Sequence, residues 1–217
     1  AFITGRSQPF HRGPLFWKKK KDKPRERLPP KQRWIPSILK WGIDHPGIVA
    51  ALPEVSLIDW RLKVDGLVEK PALLTWSDFV ALPQAETVSD FHCVETWSVQ
   101  DQRWGGVRFR ELADLVKPTG EARHVFFECV DTYTTDLPIA ELMSDDVLLA
   151  HRLNGEPLPQ PLGGPMRLVV PHKYAYKSPM WLSKITFVKD NRLGFWESGF
   201  YSDTADPWRD DRYRFRS

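Results

Sequence analysis

Apolar and polar positions alternate along much of this chain, with short stretches of helical spacing between. Trp60, Leu62 and Val64 alternate with polar neighbours and predict a half-buried strand, and Asp65-Gly66 predicts a tight turn into Leu67-Val68. Thr87 to Glu95 predicts a strand that delivers Cys93 to its C-terminal end. His124 to Val130 (carrying Cys129), Val147 to Leu153, Met166 to Val170 and Trp181 to Val188 read as further strands, with Asn154-Gly155 as a hairpin turn. Helical spacing places Trp34, Ile35, Ile38, Leu39 and Trp41 on one short stripe, ended by Asp44-His45-Pro46-Gly47. Thr75 predicts the cap of a short helix from Trp76, with Asp78 in its first turn. Leu112, Leu115 and Val116 share one helical face, entered through a Trp104-Gly105-Gly106 loop and stopped by Lys117-Pro118-Thr119-Gly120. A short helix is expected from Ile139 to Met143.

Between these elements lie three loops with chemical side chains: the turn after Cys93, the polar Asp131 to Asp136 loop, and the Arg167 to Ser178 region behind Leu162-Gly163-Gly164-Pro165. Many short strands mixed with few short helices predict a β-rich α+β domain. The aromatic tail, with Phe195-Trp196, Phe200-Tyr201 and Pro207-Trp208, is expected to pack onto the core.

Composition narrows this picture. The 217 residues suggest one domain or a compact pair, long enough to bury a real core. The net charge of +3 is too mild to argue for nucleic acid, and 19 prolines work against long helices. Residues 1–33 read as a basic, proline-rich arm around Lys18-Lys19-Lys20-Lys21, either a solvated tail or a docking segment for an acidic partner or membrane surface, ahead of a domain over 34–217. No apolar run reaches the ~20 residues of a membrane span. With no basic-then-apolar leader or twin arginine in the given sequence, a soluble cytoplasmic protein is the expectation. Cys93 and Cys129 make no disulfide framework, although one bridge between them is open.

A free cysteine is often a small buried hydrophobe, but a thiolate is also a soft ligand for redox-active metals. Arg167, His172, Lys173 and Lys177 place cations near a Gly-Gly turn, a setting suited to a phosphate. His45, before Pro-Gly, is either structural or a ligand contact. There is no zinc pattern, no Gly-x-Ser-x-Gly elbow and no Walker loop.

The order of segments carries more. Cys-Val-Glu-x-Trp-Ser from Cys93 is followed by Arg-Trp-Gly-Gly-Val, Phe-Glu-Cys-x-Asp-x-Tyr-Thr-Thr-Asp-Leu-Pro, Leu-x-Gly-Glu-Pro-Leu-Pro, Gly-Gly-Pro-Met-Arg-Leu-Val-Val-Pro-His-Lys-Tyr-x-Tyr-Lys-Ser, Gly-Phe-Trp-Glu and Asp-Pro-Trp. From Trp34 to the C-terminus this resembles the sulfite oxidase-like family of molybdopterin oxidoreductases. It is most similar to the haem-free branch, that of the bacterial methionine-sulfoxide reductase catalytic subunit. The resemblance implies a mixed-sheet α+β fold holding molybdenum and molybdopterin, and oxygen-atom transfer on a small S- or N-containing substrate. Electrons would be exchanged with a separate haem or flavin protein. It makes Cys93 the molybdenum ligand and Tyr133 a hydrogen-bond donor to the transferred oxygen, beside which Asp131 or Asp136 of the polar loop is either a proton carrier or a turn residue. It places Arg167 on the cofactor phosphate, Lys177, Ser178 and Met180 in the segment wrapping the cofactor, and Cys129 and His45 at further contacts. His172 joins them as part of the basic loop. Sulfite oxidases carry substrate arginines where this chain has Ile43 or Asp44 and Trp97 or Ser98, and Leu162 replaces a polar residue near the phosphate. A sulfite substrate would therefore lack its charge-assisted contacts. Two alternatives are a cofactor-free binding module and a cysteine nucleophile served by His92 or His172.

Overall fold

The computed structural model describes residues 27–215, so the Lys18–Lys21 block lies outside the described residues. In chain order the strands are β1 (Arg33–Trp34), β2 (Arg61–Gly66), β3 (Ala72–Thr75), β4 (Gln84–His92), β5 (Trp97–Arg108), β6 (His124–Cys129), β7 (Thr134–Pro138), β8 (Leu148–Leu153), β9 (Glu156–Pro157), β10 (Arg167–Val169) and β11 (Leu182–Val188). The helices are α1 (Trp76–Ala81), α2 (Phe109–Val116), α3 (Ile139–Leu142) and α4 (Phe195–Gly199). Two mixed sheets result. One runs β1-β5-β8-β10, with β4 added on β5 and β9 on β8; the other runs β3-β2-β11-β6-β7. This is the β-rich α+β architecture expected from the alternation.

The main core lies between the sheets. Leu62, Val64, Val125, Phe127, Ile185 and Phe187 of the second sheet pack in one cluster with Val107, Leu149 and Leu168 of the first and with Phe109, Leu112 and Val116 of α2. Period-two alternation explains the choice of residues: in β6 the buried positions are Val125, Phe127 and Cys129. A second cluster on the first sheet joins Phe91, Trp97, Trp104 and Val169 to Ile38 and Leu162.

Local chemistry decides several boundaries as expected. The Thr75 hydroxyl accepts from the Asp78 N–H, and the Asp78 carboxylate accepts from the Thr75 N–H, a complete capping box on α1. In α2, Leu112 and Val116 are buried, whereas Leu115 is exposed.

Four expectations are corrected. The Trp34–His45 stripe is not a helix: Trp34 pairs with Ser98 in β1, Pro36 follows, and the Lys40 carbonyl closes a turn by accepting from Ile43, Asp44 and His45. Asp65-Gly66 is not the hairpin turn between β2 and β3, which takes residues 67–71 instead. Gly66, at φ +91°, is needed because a Cβ there would lie 2.2 Å from the Phe187 carbonyl oxygen of β11. Asp131 to Asp136 is not an open loop, because Thr134 already pairs with Glu128 and leaves a tight turn over 130–133.

The Trp104-Gly105-Gly106 segment is the middle of β5, not a loop. Register against β8 shifts between Gly105 and Gly106, and a Cβ on Gly106 would stand 2.1 Å from the Leu149 carbonyl oxygen. Gly106→Ala must push β5 and β8 apart, so urea unfolding should show a loss of about 1–3 kcal/mol. An unchanged midpoint would show that the close approach is not needed.

Candidate active site

Two hairpin turns face a common cavity of about 330 Å³, within the size range of small-molecule sites. From the first sheet comes the β4–β5 turn, with Cys93, Val94 and Glu95; from the second comes the β6–β7 turn, with Asp131 and Tyr133. Arg167 of β10, the Tyr176–Met180 segment, Leu162, the His45 loop and Trp196 and Tyr201 of the tail complete the wall.

Cys93 is the first residue past β4. Its N–H donates to the Trp97 carbonyl (2.9 Å), and its carbonyl accepts from Thr96 (3.3 Å), which adopts φ +75°. Burial pushes the thiol up to about 12, so without a metal it stays protonated. A bound metal displaces such a proton, whereas an uncoordinated thiol of this kind is a poor nucleophile. His92 gives it no help. Its Nδ1 lies 2.8 Å from the Ser98 Oγ, and its ring stands edge-on to Trp208. Cys93 and Cys129 are both free thiols.

Arg167 is 3% exposed, and no carboxylate pairs with it among the described residues. Its guanidinium donates to the carbonyls of Leu162 (3.0 Å), Ser178 (2.7 Å) and, at 3.4 Å, Leu168, and lies over the rings of Phe91 and Trp104. That uses three of its five N–H groups. Burial lowers its pKa to about 10. A desolvated cation on a cavity wall with no counter-charge is costly unless an anion arrives. A soft thiol ligand beside the turn and an uncompensated guanidinium on the same cavity fit a metal carried by a phosphate-bearing cofactor.

Asp131 is buried, its carboxylate accepts from the Tyr133 N–H (3.2 Å), and burial raises its pKa. The Tyr133 hydroxyl donates to the Tyr176 carbonyl at 2.5 Å, and burial holds its pKa well above the ordinary value. His45 pairs with Glu95 (Nε2–Oε2 3.0 Å) between the rings of Trp41 and Trp97.

Of the expected site residues, His45, Cys93, Asp131, Tyr133, Arg167, Ser178 and Met180 therefore share this cavity. Cys129, His172 and Lys177 do not line it. Cys129 shares the core face of Val125 and Phe127. His172 stands 3.7 Å from Glu141 of α3, which also pairs with Lys173. Lys177 puts its ammonium on Glu197 (2.7 Å), Asp203 (2.8 Å) and the Asp136 carbonyl (2.9 Å). The aromatic wall of Trp41, Trp97, Tyr176, Trp196 and Tyr201 had no local signal beyond its aromatic content, because tertiary contacts assemble it.

Comparisons agree with the geometry. A family described as oxidoreductase molybdopterin binding domain matches residues 49–196. The uncharacterized oxidoreductase YuiH of Bacillus subtilis is 38% identical over 86% of this chain and 92% of its own length. The protein-methionine-sulfoxide reductase catalytic subunit MsrP of Campylobacter jejuni is 34% identical over 76% of this chain, which spans 63% of that subunit. The sulfane dehydrogenase SoxCD of Paracoccus pantotrophus superposes with a TM-score of 0.60 at 26% identity, covering 68% of this chain and 41% of that one. The chain thus belongs to the sulfite oxidase-like molybdopterin family and is an oxidoreductase that works with a molybdenum-molybdopterin cofactor.

Proposed function

We propose that this enzyme reduces a small, uncharged S- or N-oxide by oxygen-atom transfer, drawing electrons from a separate haem or flavin protein. The observation that carries this is the charge of the cavity. Arg167 is the one lysine or arginine lining it among the described residues, and three of its N–H groups are bound to backbone carbonyls. An oxyanion such as sulfite would meet an aromatic wall and Glu95 where it needs arginine. The naming of the Campylobacter relative as a sulfoxide reductase supports the direction of transfer.

When bound, the cofactor supplies two-electron oxygen-atom exchange. For an S-oxide the balance is one S-oxide, two electrons and two protons giving one thioether and one water. The Cys93 sulfur would hold the metal, and Arg167 with the Ser178–Met180 segment would hold the phosphate end. Trp41, Trp97 and Tyr201 exclude water and offer flat apolar contact to the substrate. Burial raises the pKa of the Asp131 carboxyl, the direction that suits it to pass a proton inside the cavity. In the described state the Tyr133 hydroxyl is committed to the Tyr176 carbonyl, so it would have to leave that oxygen to reach a substrate.

The defining test uses protein made in a host that supplies the cofactor. A dialkyl sulfoxide should be reduced with a reduced viologen as donor, and sulfite should be oxidised far more slowly. Faster sulfite turnover would overturn the proposal.

Asp131→Asn keeps the acceptor for the Tyr133 N–H but removes the group able to pass a proton. Sulfoxide turnover should fall about 10²-fold, at the lower end of what a general acid contributes. Stability should move the other way. A buried carboxyl with a raised folded pKa favours the fold below its unfolded pKa, and that contribution is lost as pH rises through the folded value. Metal-free Asp131→Asn should therefore be at least as stable as the parent at pH 8, with the difference shrinking toward pH 4 in parallel urea titrations.

A further inference from the structure

The turn that carries Cys93 is held from behind by two side chains outside the family-matched residues 49–196. Gln32, ahead of β1, donates its side-chain N–H to the Cys93 carbonyl at 3.0 Å. Its own carboxamide oxygen accepts from the Ser98 hydroxyl (3.2 Å), so the amide is locked in one orientation. Arg212, in the C-terminal tail, donates to the Val94 carbonyl. It is 6% exposed, lies over the Tyr174 ring, and is fixed by Asp210 at 2.6 Å and by the Pro30 carbonyl at 3.3 Å.

These two carbonyls belong to consecutive peptide units. In a planar trans peptide the C=O and the N–H point in opposite directions. A side chain that anchors the Cys93 carbonyl therefore aims the Val94 N–H, and one that anchors the Val94 carbonyl aims the Glu95 N–H. We propose that Gln32 and Arg212 are positioning residues for the Cys93 sulfur, each holding one of two consecutive peptide units so that their N–H groups face it. N–H dipoles directed at a metal-bound thiolate, and a guanidinium bonded to the same turn, withdraw electron density from it and raise the metal's potential; by favouring thiolate over thiol they also strengthen retention. Segments on either side of the family-matched residues thus complete a ligand turn that lies within them.

The proposal rests on Cys93 being the molybdenum ligand, and the test separates the two. Molybdenum per chain is followed during prolonged dialysis of the holoenzyme, and the molybdenum potential is read by an EPR-monitored redox titration. Arg212→Met should speed metal loss about tenfold, the lower end for residues that orient a ligand. It should also shift the potential negative by about 59 mV, the equivalent of a tenfold change in a one-electron equilibrium. Arg212→Lys should restore part of both, and Gln32→Met should move both in the same direction by less. Gln32→Met removes the neutral donor to the Cys93 carbonyl, together with the acceptor of the Ser98 hydroxyl, and decides the matter if Arg212→Met does not fold. Arg214→Met, whose parent side chain lies over Phe215, reports on general loosening of the tail and should leave both readings unchanged. Parent retention and potential in both Arg212→Met and Gln32→Met, while Cys93→Ala loses the metal, would overturn the proposal. So would equal shifts in Arg214→Met. Full molybdenum in Cys93→Ala would instead remove the ligand assignment on which the proposal depends.

Discussion

Cys93→Ala protein is expected to retain almost no molybdenum and to lose turnover by at least two orders of magnitude, more than the roughly 10–100-fold typical of residues that only support a ligand. The reason is geometric as well as chemical. Cys93 stands on a turn whose shape comes from backbone bonds, Cys93 N–H to Trp97 at 2.9 Å and Thr96 N–H to Cys93 at 3.3 Å. Alanine keeps those bonds, so the turn should survive while its sulfur is lost. In the metal-free protein the thiol is protonated, its pKa pushed up to about 12 by burial, and no ion pair is broken by removing it. Thermal unfolding of the metal-free variant should therefore match the parent. Elemental analysis for molybdenum, with fluorescence of the oxidised pterin, checks the claim. Cys93→Ser is the sharper probe, because it keeps volume and replaces a soft donor by a hard one. Full molybdenum and full turnover in Cys93→Ser would show that the metal is held elsewhere.

Lys177→Met should destabilise the metal-free chain by about 3–5 kcal/mol, the cost of leaving one member of a buried ion pair without its partner. Lys177 is 1% exposed and Glu197 is fully buried, 2.7 Å away, with Asp203 at 2.8 Å and the Asp136 carbonyl at 2.9 Å completing the ammonium's contacts. Thr135 donates to the same Glu197 carboxylate at 2.5 Å, so the cluster ties β7 and α4 to the cavity segment. For a chain of this size the loss corresponds to a fall in Tm of about 6–20 °C. The neighbours of Lys177 show why the cavity should feel it as well. The Tyr176 carbonyl receives the Tyr133 hydroxyl and the Ser178 carbonyl receives Arg167. Differential scanning calorimetry without cofactor reads the effect directly. A normal Tm combined with lost pterin would mean that Lys177 acts on the cofactor itself, as the family resemblance implied, and not through the ion cluster.

The alternation of apolar residues was enough to place most strands, because a half-buried strand needs no partner to be recognised. Thr75-x-x-Asp78 and Asn154-Gly155 likewise carry their instructions within a few residues. Errors arose where a local pattern served a distant contact. Gly105-Gly106 reads as a loop until β8 is seen to pass where a Cβ on Gly106 would stand, 2.1 Å from the Leu149 carbonyl oxygen. The Trp34–Trp41 stripe reads as a helix until Trp34 pairs with β5.

The same division runs through the site. By itself the sequence determined the fold class, the family, the thiol at the end of a strand and the lone arginine after a Gly-Gly-Pro loop, since each depends on residue type, spacing and order. Only the tertiary structure decided that Cys129 faces the core and Lys177 an ion cluster. It also decided that Asp131 and Cys93 line one cavity, and that Gln32 and Arg212 both bond to the Cys93 turn. These are long-range contacts, set by which strand pairs with which and by where buried charges find partners, and no local pattern along the chain encodes them.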